Sequence, residues 1–306
     1  MNTKTLMKNK DFVAFILTHG RPNNVITIES LKKCGYTGRV IIVIDNEDET
    51  SEEYYKKFGK DNVVMFDKLE MSKTFDEADN FKDRKSIVYA RNACFNIAKD
   101  LGIKYFIQLD DDYTTFRFAS NEKEEYITSN TAINNLDNIF DSLLKFYKST
   151  SIKSIAMAQG GDFIGGIKSR VWKEKLPRKC MNSFICSTDR PFQFMGRLNE
   201  DVNNYTKNAS LGQLFFTTAL VRLEQKQTQS SEGGMTDIYL NNGTYIKSFY
   251  SVLFSPSSVT IALMGEINNR LHHRVNWNAT TPKILDEKYK KVWTKPNNIK
   301  KQSLKH

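Results

Sequence analysis

The feature that most constrains the fold of this chain is a series of short, continuous apolar runs in its first half. These runs lie at 12–18, 39–45, 62–66 and 104–109, and helix-like segments separate them. Strands that are apolar on both faces are typical of parallel sheets, because the crossover helices cover both sides of the sheet. The sequence therefore predicts an α/β fold in which a mostly parallel sheet is flanked by helices.

The second half of the chain is less regular. Strand-like segments at 113–119 and 154–158 flank an amphipathic helix predicted over 130–147, and glycine pairs on either side of 162–164 suggest a hairpin or a close approach to a ligand. No repeat or linker divides the chain. We therefore predict one domain over 11–282, preceded by a disordered segment at 1–10 and followed by a basic tail at 283–306.

Charge and cysteine content indicate which partners and which cellular compartment to expect for this chain. The net charge is +10, and the tail carries +6 of it, because eight lysines face only Asp286 and Glu287. Such a tail is either simply solvated or an anchor for a polyanion such as nucleic acid. The four cysteines form no CxxC pair, which is typical of reduced thiols. Because no signal-peptide core or membrane-spanning run is present, we expect a cytoplasmic protein with no membrane partner.

Three consecutive carboxylates, Asp110-Asp111-Asp112, directly follow the run at 104–109. Open α/β sheets bind ligands at the carboxyl ends of their strands. Adjacent carboxylates in apolar surroundings repel one another unless a cation compensates them. A divalent cation such as Mg²⁺ is typically held by one or two carboxylates together with phosphate oxygens. A metal–phosphate site is therefore one interpretation of this acidic triplet, and a solvated acidic turn is the other.

Two other strand ends carry residues suited to a nucleotide. Thr18 and Arg21 lie in a turn that can offer backbone N–H groups and a guanidinium to a phosphate or base. Asp45 ends the second apolar run, where its carboxylate could accept a hydrogen bond from a base or ribose. A simple strand–helix turn and a solvated acidic loop are the corresponding structural interpretations.

A third set of polar residues lies at the predicted helix 86–101. Lys85 precedes it, where a cation is unfavourable to the helix dipole unless an anion is nearby. Arg91 and Asn92 lie within an otherwise apolar helix and could reach the same anion or a donor sugar. The structural alternative is a salt bridge from this helix to the acidic triplet.

Two late segments carry further candidate site residues. Glu200 and Asp201 form a carboxylate pair far along the chain from the triplet. General-base catalysis on an acceptor would require such a pair. A helix start with acidic residues in its first turn is the simpler interpretation. His272 and His273 precede Arg274. Side chains of adjacent residues in an extended segment point in opposite directions, so at most one of these histidines would reach a given metal.

Taken in order, these motifs resemble the GT-A glycosyltransferases over about residues 11–280. The matching features are the turn at 18–22, the strand-end Asp45, a DxD-like triplet at 110–112, the acid pair at 200–201 and a late histidine at 272 or 273. The chain is most similar to the TET/JBP-associated glycosyltransferases of phages. The stretches that carry this second resemblance are 90–92, 105–112, 198–201, 224–237 and 272–277.

The resemblance implies a Rossmann-like, mostly parallel GT-A sheet with an irregular acceptor-binding half. It also implies Mn²⁺ or Mg²⁺ and a UDP-sugar donor, with UDP-glucose expected. Asp201, with Glu200, would then act as the base of an inverting transfer. Nucleotide-binding residues would be Thr18, Arg21, Asp45, Lys85, Arg91, Asn92, Asp110, Asp111 and Arg274, and metal ligands would be Asp112, Asp110 and His272 or His273.

The acceptor implied by the same resemblance is the hydroxymethyl group of a 5-hydroxymethylpyrimidine in DNA. A base held in such a site could stack on Phe163, Phe192, Phe194 or Trp277. Three alternatives remain open from sequence: a glycan or protein acceptor, a metal-dependent nuclease or nucleotidyltransferase, and a nucleic-acid-binding module without catalysis. No obligate protein partner is inferred.

Overall fold

The computed structural model describes residues 11–80, 83–121, 123, 125–127, 132–159, 166–168, 179–226, 243, 245–264 and 270–280. The predicted disordered segment 1–10, the segment 162–164 with its flanking glycines (apart from Gly166) and the basic tail 283–306 lie outside these residues. Within them, no helix is both long and apolar enough to cross a membrane. All four cysteines are buried free thiols, as the sequence predicted.

The first half alternates strands and helices as predicted. Its elements are β1 (Phe12–Leu17), α1 (Thr27–Lys33), β2 (Arg39–Asp45), α2 (Ser51–Phe58), β3 (Val63–Phe66), α3 (Lys68–Ser72), α4 (Val88–Asp100) and β4 (Tyr105–Asp110). Continuous burial along β1 explains why its sequence is an unbroken apolar run rather than an alternating one.

The second half contributes both sheet strands and a separate hairpin. Its elements are β5 (Tyr113–Phe118), α5 (Leu136–Ser149), β6 (Ser154–Gln159), β7 (Ser183–Ser187), α6 (Glu200–Ser210), β8 (Phe215–Gln225), α7 (Ile246–Phe254), β9 (Val259–Met264) and β10 (Arg270–Val275). The helix predicted over 130–147 begins later, at Leu136, and continues to Ser149.

Eight strands form one sheet in the order β3-β2-β1-β4-β7-β6-β8-β5, and β9 and β10 form the two-stranded hairpin. Neighbouring strands are parallel in four pairs, β1–β2, β1–β4, β2–β3 and β6–β8. β7 is antiparallel to both of its neighbours, and β5 is antiparallel to β8. The predicted α/β fold with a mostly parallel sheet is confirmed, and the antiparallel pairs all involve strands of the second half.

Hydrophobic cores cover both faces of this sheet. On one face, Phe12, Ala14 and Ile16 of β1 pack with residues of α1, α2 and α5. On the other face, Val13 and Phe15 pack with residues of α3, α4 and α6. Fully burying a large apolar side chain contributes about 1.5–3 kcal/mol, so these two layers fix the sheet and hold the strand ends in place.

Candidate active site

The carboxyl ends of β1, β2 and β4 lie side by side. Leu17, the last residue of β1, pairs with Val43 of β2 and with Asp110 of β4. A cavity of about 320 Å³ opens beyond this edge. Its lining residues come from the strand ends, from the start of α4 and from the segment before α6: Leu17, Thr18, His19, Arg21, Asp45, Phe66, Lys68, Lys85, Ser86, Ile87, Ala90, Arg197, Leu198, Asn199 and Glu200.

The cavity therefore brings together five of the predicted site residues. Thr18, Arg21, Asp45, Lys85 and Glu200 come from four separate segments of the chain and all line it. Basic side chains predominate over acidic ones in its walls, and its volume lies within the range of small-molecule sites. This lining is suited to an anionic ligand such as a nucleoside diphosphate.

The three carboxylates of the acidic triplet point to three different surroundings. Asp110 Oδ1 accepts a hydrogen bond from Arg91 Nη2 at 2.9 Å. Asp111 is buried; its Oδ2 accepts from Thr18 Oγ1 at 2.6 Å and lies 3.5 Å from Arg21 Nε. Thr18 can reach Asp111 because β1 and β4 are parallel neighbours in this register. Asp111 thus links the chain at the ends of β1 and β4. Direct binding of nucleotide by Asp111, which the sequence predicted, stays a prediction.

Asp112 is the member of the triplet with an unpartnered atom. Its Oδ1 is buried and has no hydrogen-bond partner. Burial, together with the charges of Asp110 and Asp111, raises the pKa of Asp112 to about 7. Both observations indicate uncompensated negative charge, so the side chains present fit a divalent cation held by Asp112 and Asp110 together with ligand phosphates.

The predicted histidines make contacts on the hairpin. Among the described residues, no group of three or more His, Cys, Asp or Glu side chains is arranged to hold a metal ion. His273 lies on the hairpin, where its Nδ1 is 3.2 Å from Asn199 Nδ2. His272 Nδ1 is 3.0 Å from the backbone oxygen of His273. The hairpin packs on α7, and metal binding by one of these histidines stays a prediction.

Asp45 is buried and already engaged by two side chains, His19 and Lys68. Its Oδ2 lies 2.9 Å from His19 Nδ1 and 3.1 Å from the ammonium of Lys68. Burial alone would raise the pKa of Asp45, but His19 and Lys68 outweigh burial and lower it. Asp45 therefore orders the wall of the cavity through His19 and Lys68.

Arg91 joins the two halves of the site. It is almost fully buried, with Nη2 on Asp110 and Nε 3.0 Å from Glu200 Oε1. Its guanidinium carbon lies 4.9 Å from the ring centroid of Phe184 and 5.9 Å from that of Phe194. Burial works against the charge, but Asp110 and Glu200 raise the pKa of Arg91. The salt bridge expected as the structural alternative is thus present, and it extends to the acid pair.

Glu200 and Asp201 begin α6, directly behind this bridge. Burial and the charge of Asp201 raise the pKa of Glu200 to about 7, against the opposing effect of Arg91. Burial also raises the pKa of Asp201, whose Oδ1 accepts the backbone N–H of Val202 at 2.7 Å. A carboxylate with a raised pKa is a stronger base than an exposed one, as proton abstraction from a hydroxyl requires.

Several predicted residues lie elsewhere. The amide of Asn92 exchanges two hydrogen bonds with the backbone of Phe194, at 3.0 and 2.9 Å, so it fixes structure instead of facing a ligand. Phe192 and Phe194 belong to the hydrophobic core and offer no exposed ring for base stacking. Trp277 stacks on Tyr205 of α6 at 5.4 Å.

Two further residues were predicted to contact a substrate, Arg274 and Phe163. Arg274 is exposed on β10 and does not line the cavity. Phe163 lies outside the described residues.

Sequence reasoning missed three residues of this region. His19 lies inside the turn that was singled out, and a strand-end histidine is a signal that could have been used. Lys68 and Lys247 carry no such signal, because their positions depend on packing: Lys68 reaches Asp45 from α3, and Lys247 acts electrostatically on Asp201 from α7.

Comparison with known families gives one match. The model of a family described as TET-Associated Glycosyltransferase matches residues 12–234 of the chain. No curated protein matches it.

Comparison with solved structures gives similarities in three-dimensional structure at low sequence identity. One is the glucosyl-3-phosphoglycerate synthase of Mycobacterium tuberculosis in complex with Mg²⁺ and UDP: identity is 8%, coverage is 86% of this chain and 87% of that chain, and the TM-score is 0.43. A second structure of that enzyme, with Mn²⁺, UDP and phosphoglyceric acid, has 9% identity, 86% coverage of each chain and a TM-score of 0.41.

Proposed function

We propose a specific reaction for this chain, which belongs to the TET-associated glycosyltransferase family and is therefore a glycosyltransferase. The reaction is transfer of a sugar, with glucose expected, from a UDP-sugar to the hydroxymethyl group of a 5-hydroxymethylpyrimidine in DNA. It proceeds with inversion at the anomeric carbon and takes place in the cytoplasm. Family membership also sets aside the nuclease and non-catalytic alternatives.

The observation that carries this proposal is the bridge from Asp110 through Arg91 to Glu200. It holds the acidic triplet and the acid pair on neighbouring nitrogens, Nη2 and Nε, of one buried guanidinium. In the proposed reaction the donor and acceptor subsites are therefore adjacent. Direct displacement needs such an arrangement, because the leaving group and the attacking hydroxyl must approach one carbon together.

The donor side is suited to a nucleoside diphosphate. Arg21, Lys68 and Lys85 line the cavity and present positive charge to the phosphates. Asp112 and Asp110 would hold Mg²⁺ or Mn²⁺, which, when bound, stabilises negative charge on the departing diphosphate. Arg91 keeps Asp110 aligned for this task.

The acceptor side is suited to deprotonation of a hydroxyl. Asp201 accepts the proton from the attacking hydroxyl, and its burial excludes water that would otherwise compete. Glu200 is held by Arg91 and orients the first turn of α6. A DNA acceptor is supported by the TET association of the family and by the +10 charge of the chain.

The test is a transfer assay with matched DNA substrates. DNA containing 5-hydroxymethyluracil or 5-hydroxymethylcytosine is incubated with the enzyme, Mn²⁺ and a panel of UDP-sugars, and its nucleosides are analysed by mass spectrometry. We expect one glycosylated nucleoside, and none from unmodified DNA, which lacks the attacking hydroxyl. Efficient transfer to a free glycan or protein, with hydroxymethylated DNA inert, would overturn the DNA acceptor and leave the glycosyltransferase activity in place.

A further inference from the structure

Strand β8 ends beside the acidic triplet. β5, which follows the triplet, is antiparallel to β8, and Tyr113 pairs with Gln225. The backbone N–H of Lys226 donates to the backbone oxygen of Asp112 at 3.3 Å, so the pairing continues one residue beyond the two strands. Asp112 and Lys226 are therefore opposite one another. The Cβ atoms of opposite residues in an antiparallel pair generally lie about 5 Å apart, on the same face of the sheet.

Two side-chain contacts fix the end of β8 in this place. Gln225 Oε1 accepts a hydrogen bond from Asn182 Nδ2 at 2.9 Å, and the ammonium of Lys226 donates to Asn24 Oδ1 at 3.1 Å. Asn24 lies in the turn after β1, where its backbone N–H donates to the backbone oxygen of Arg21 at 2.9 Å. Lys226 thus reaches from the triplet to the turn that carries Arg21, a residue of the cavity wall.

Asp112 and Lys226 carry opposite charges on facing positions, and they do not pair with each other. Among the described residues, no ion pair joins Lys226 to a carboxylate, and its ammonium uses one of its three donors on a neutral amide oxygen. Asp112 Oδ1 is buried and has no hydrogen-bond partner. Both groups therefore suit a ligand that carries charge of both signs. A diphosphate with a bound divalent cation is such a ligand, because the cation contacts the carboxylate and the phosphate oxygens contact the ammonium.

We propose that Lys226 binds the diphosphate of the donor, next to the metal-binding carboxylate of Asp112. The ligand class is a nucleoside diphosphate, free or within a nucleotide sugar. This inference rests on the proposed function and deepens it, because it names a donor-binding residue that does not itself line the cavity. Negative charge grows on the diphosphate as the sugar departs, so the same ammonium stabilises the transition state more than the bound donor.

A purely structural role for Lys226 would be to hold the turn after β1 through Asn24. Two control variants isolate that role. Asn24→Ala removes the amide that accepts from Lys226 and keeps the ammonium. Lys57→Gln removes an exposed lysine of α2 that binds the same turn, through the backbone oxygen of Pro22 at 3.0 Å and Asn23 Oδ1 at 3.2 Å.

The experiment measures binding of UDP by calorimetry and of uridine by ligand-observed NMR, both with Mn²⁺ and the full-length chain. Lys226→Gln should weaken UDP binding by about tenfold to a hundredfold, as expected for one lost hydrogen bond to a charged group. Uridine has no phosphate, so its binding should be unchanged. Asn24→Ala and Lys57→Gln should keep the wild-type affinity for UDP. Lys226→Arg retains a cation and should bind UDP more tightly than Lys226→Gln does.

Several results would overturn the phosphate-binding role of Lys226. They are an unchanged affinity for UDP in Lys226→Gln, an equal loss in Asn24→Ala, and an equal loss for uridine. Absence of Mn²⁺-dependent binding of any nucleoside diphosphate to the wild type would overturn both this role and the proposed function.

Other results separate the two proposals. Lys226 contacts phosphates and not the base, so a different nucleoside diphosphate that binds in place of UDP should show the same loss in Lys226→Gln. That result would contradict the proposed donor and support the role of Lys226. Loss of UDP binding in Lys226→Gln alone, with no transfer to hydroxymethylated DNA by the wild type, would overturn the proposed acceptor and still support the role of Lys226.

Discussion

At the scale of single residues, the acidic triplet places three identical side chains in three different electrostatic situations. Asp110 is paired with Arg91, Asp111 accepts a hydrogen bond from Thr18 and lies beside Arg21, and Asp112 retains an unpartnered oxygen. Successive side chains at a strand end point in different directions, so neighbours in sequence do not share surroundings. The member best suited to a cation is the one that the protein itself leaves uncompensated.

Replacing Asp112 by Asn should remove the metal response of the enzyme without unfolding it. Asn keeps the shape of the side chain and relieves the repulsion that raises the pKa of Asp112. We expect Mn²⁺ to strengthen UDP binding to the wild type and to have no such effect on Asp112→Asn, measured by calorimetry. The activation free energy of the reaction should rise by an amount on the order of several kcal/mol, so turnover should fall.

Asp111→Asn is the matched control for that experiment. It removes the charged acceptor of Thr18 and the partner of Arg21 in a buried setting. Its free energy of unfolding should drop by about 1–3 kcal/mol, because a buried hydrogen bond to a charged group is weakened. Metal-enhanced UDP binding that survives in Asp112→Asn would contradict the assignment of Asp112 as a ligand.

Asp201→Asn should reduce kcat by roughly 10²–10⁴, the usual contribution of a general base. Donor affinity should change little, since Asp201 does not line the donor cavity. Because burial raises the pKa of Asp201, the wild-type kcat should decline as pH falls, with a midpoint above the ordinary aspartate value of about 4. Asp201→Asn should lack that acid limb. Near-normal turnover in this variant would instead point to Glu200 as the base, or to none.

At the scale of elements, α6 is the helix whose placement decides the acceptor side. The chain enters it through Gly196 and Asn199, which both adopt positive φ values, 79° and 60°. Asn203 then donates two hydrogen bonds, to the backbone oxygens of Met195 and Leu198. This tight turn aims the first residues of α6 at Arg91, and it depends on the absence of a side chain at 196.

Gly196→Ala should destabilise the protein by about 1–3 kcal/mol through overpacking, in addition to the strain of a positive φ. A Cβ at this position would lie 2.5 Å from Asn203 Nδ2 and 2.7 Å from Phe254 Cε2. Gly102→Ala is the matched control, because Gly102 has a φ of 66° and open space around the added Cβ. Denaturant unfolding of both variants separates the two costs. Equal losses in the two would mean that packing at 196 is unimportant.

At the scale of the whole molecule, charge is distributed in a way that favours a polyanionic acceptor. Basic residues outnumber acidic ones in the lining of the cavity and in the tail 283–306, and the net charge is +10. Surface charge of one sign raises the local concentration and association rate of an oppositely charged partner. In the proposed reaction the donor and the acceptor both carry phosphates, so the same positive electrostatic field attracts both.

Replacing the eight tail lysines by Gln in the full-length chain should weaken DNA binding and flatten its salt dependence, because fewer counterions are released. UDP affinity, measured in the same variant, should remain close to the wild-type value and serves as the internal control. An unchanged salt dependence would mean that the tail is merely solvated.

Much of the fold and the identity of the key residues followed from local pattern. The apolar runs at 12–18, 39–45 and 104–109 predicted buried strands, and Asp45 and Asp110 were expected at their carboxyl ends. The boundaries of β2, predicted at 39–45, are correct to the residue. These features depend on hydrophobic periodicity and strand geometry, which act over a few residues and are therefore legible in the sequence.

The tertiary structure alone decided what each of those residues does. Arg91, interpreted from sequence as a ligand of the donor, became the bridge between Asp110 and Glu200, which is 109 positions away in the chain. His273 contacts Asn199, 74 positions away in the chain. Contacts between residues this far apart in the sequence arise from the packing of α6, α7 and the hairpin on the sheet. No local pattern encodes them, because each depends on the placement of every layer beneath it.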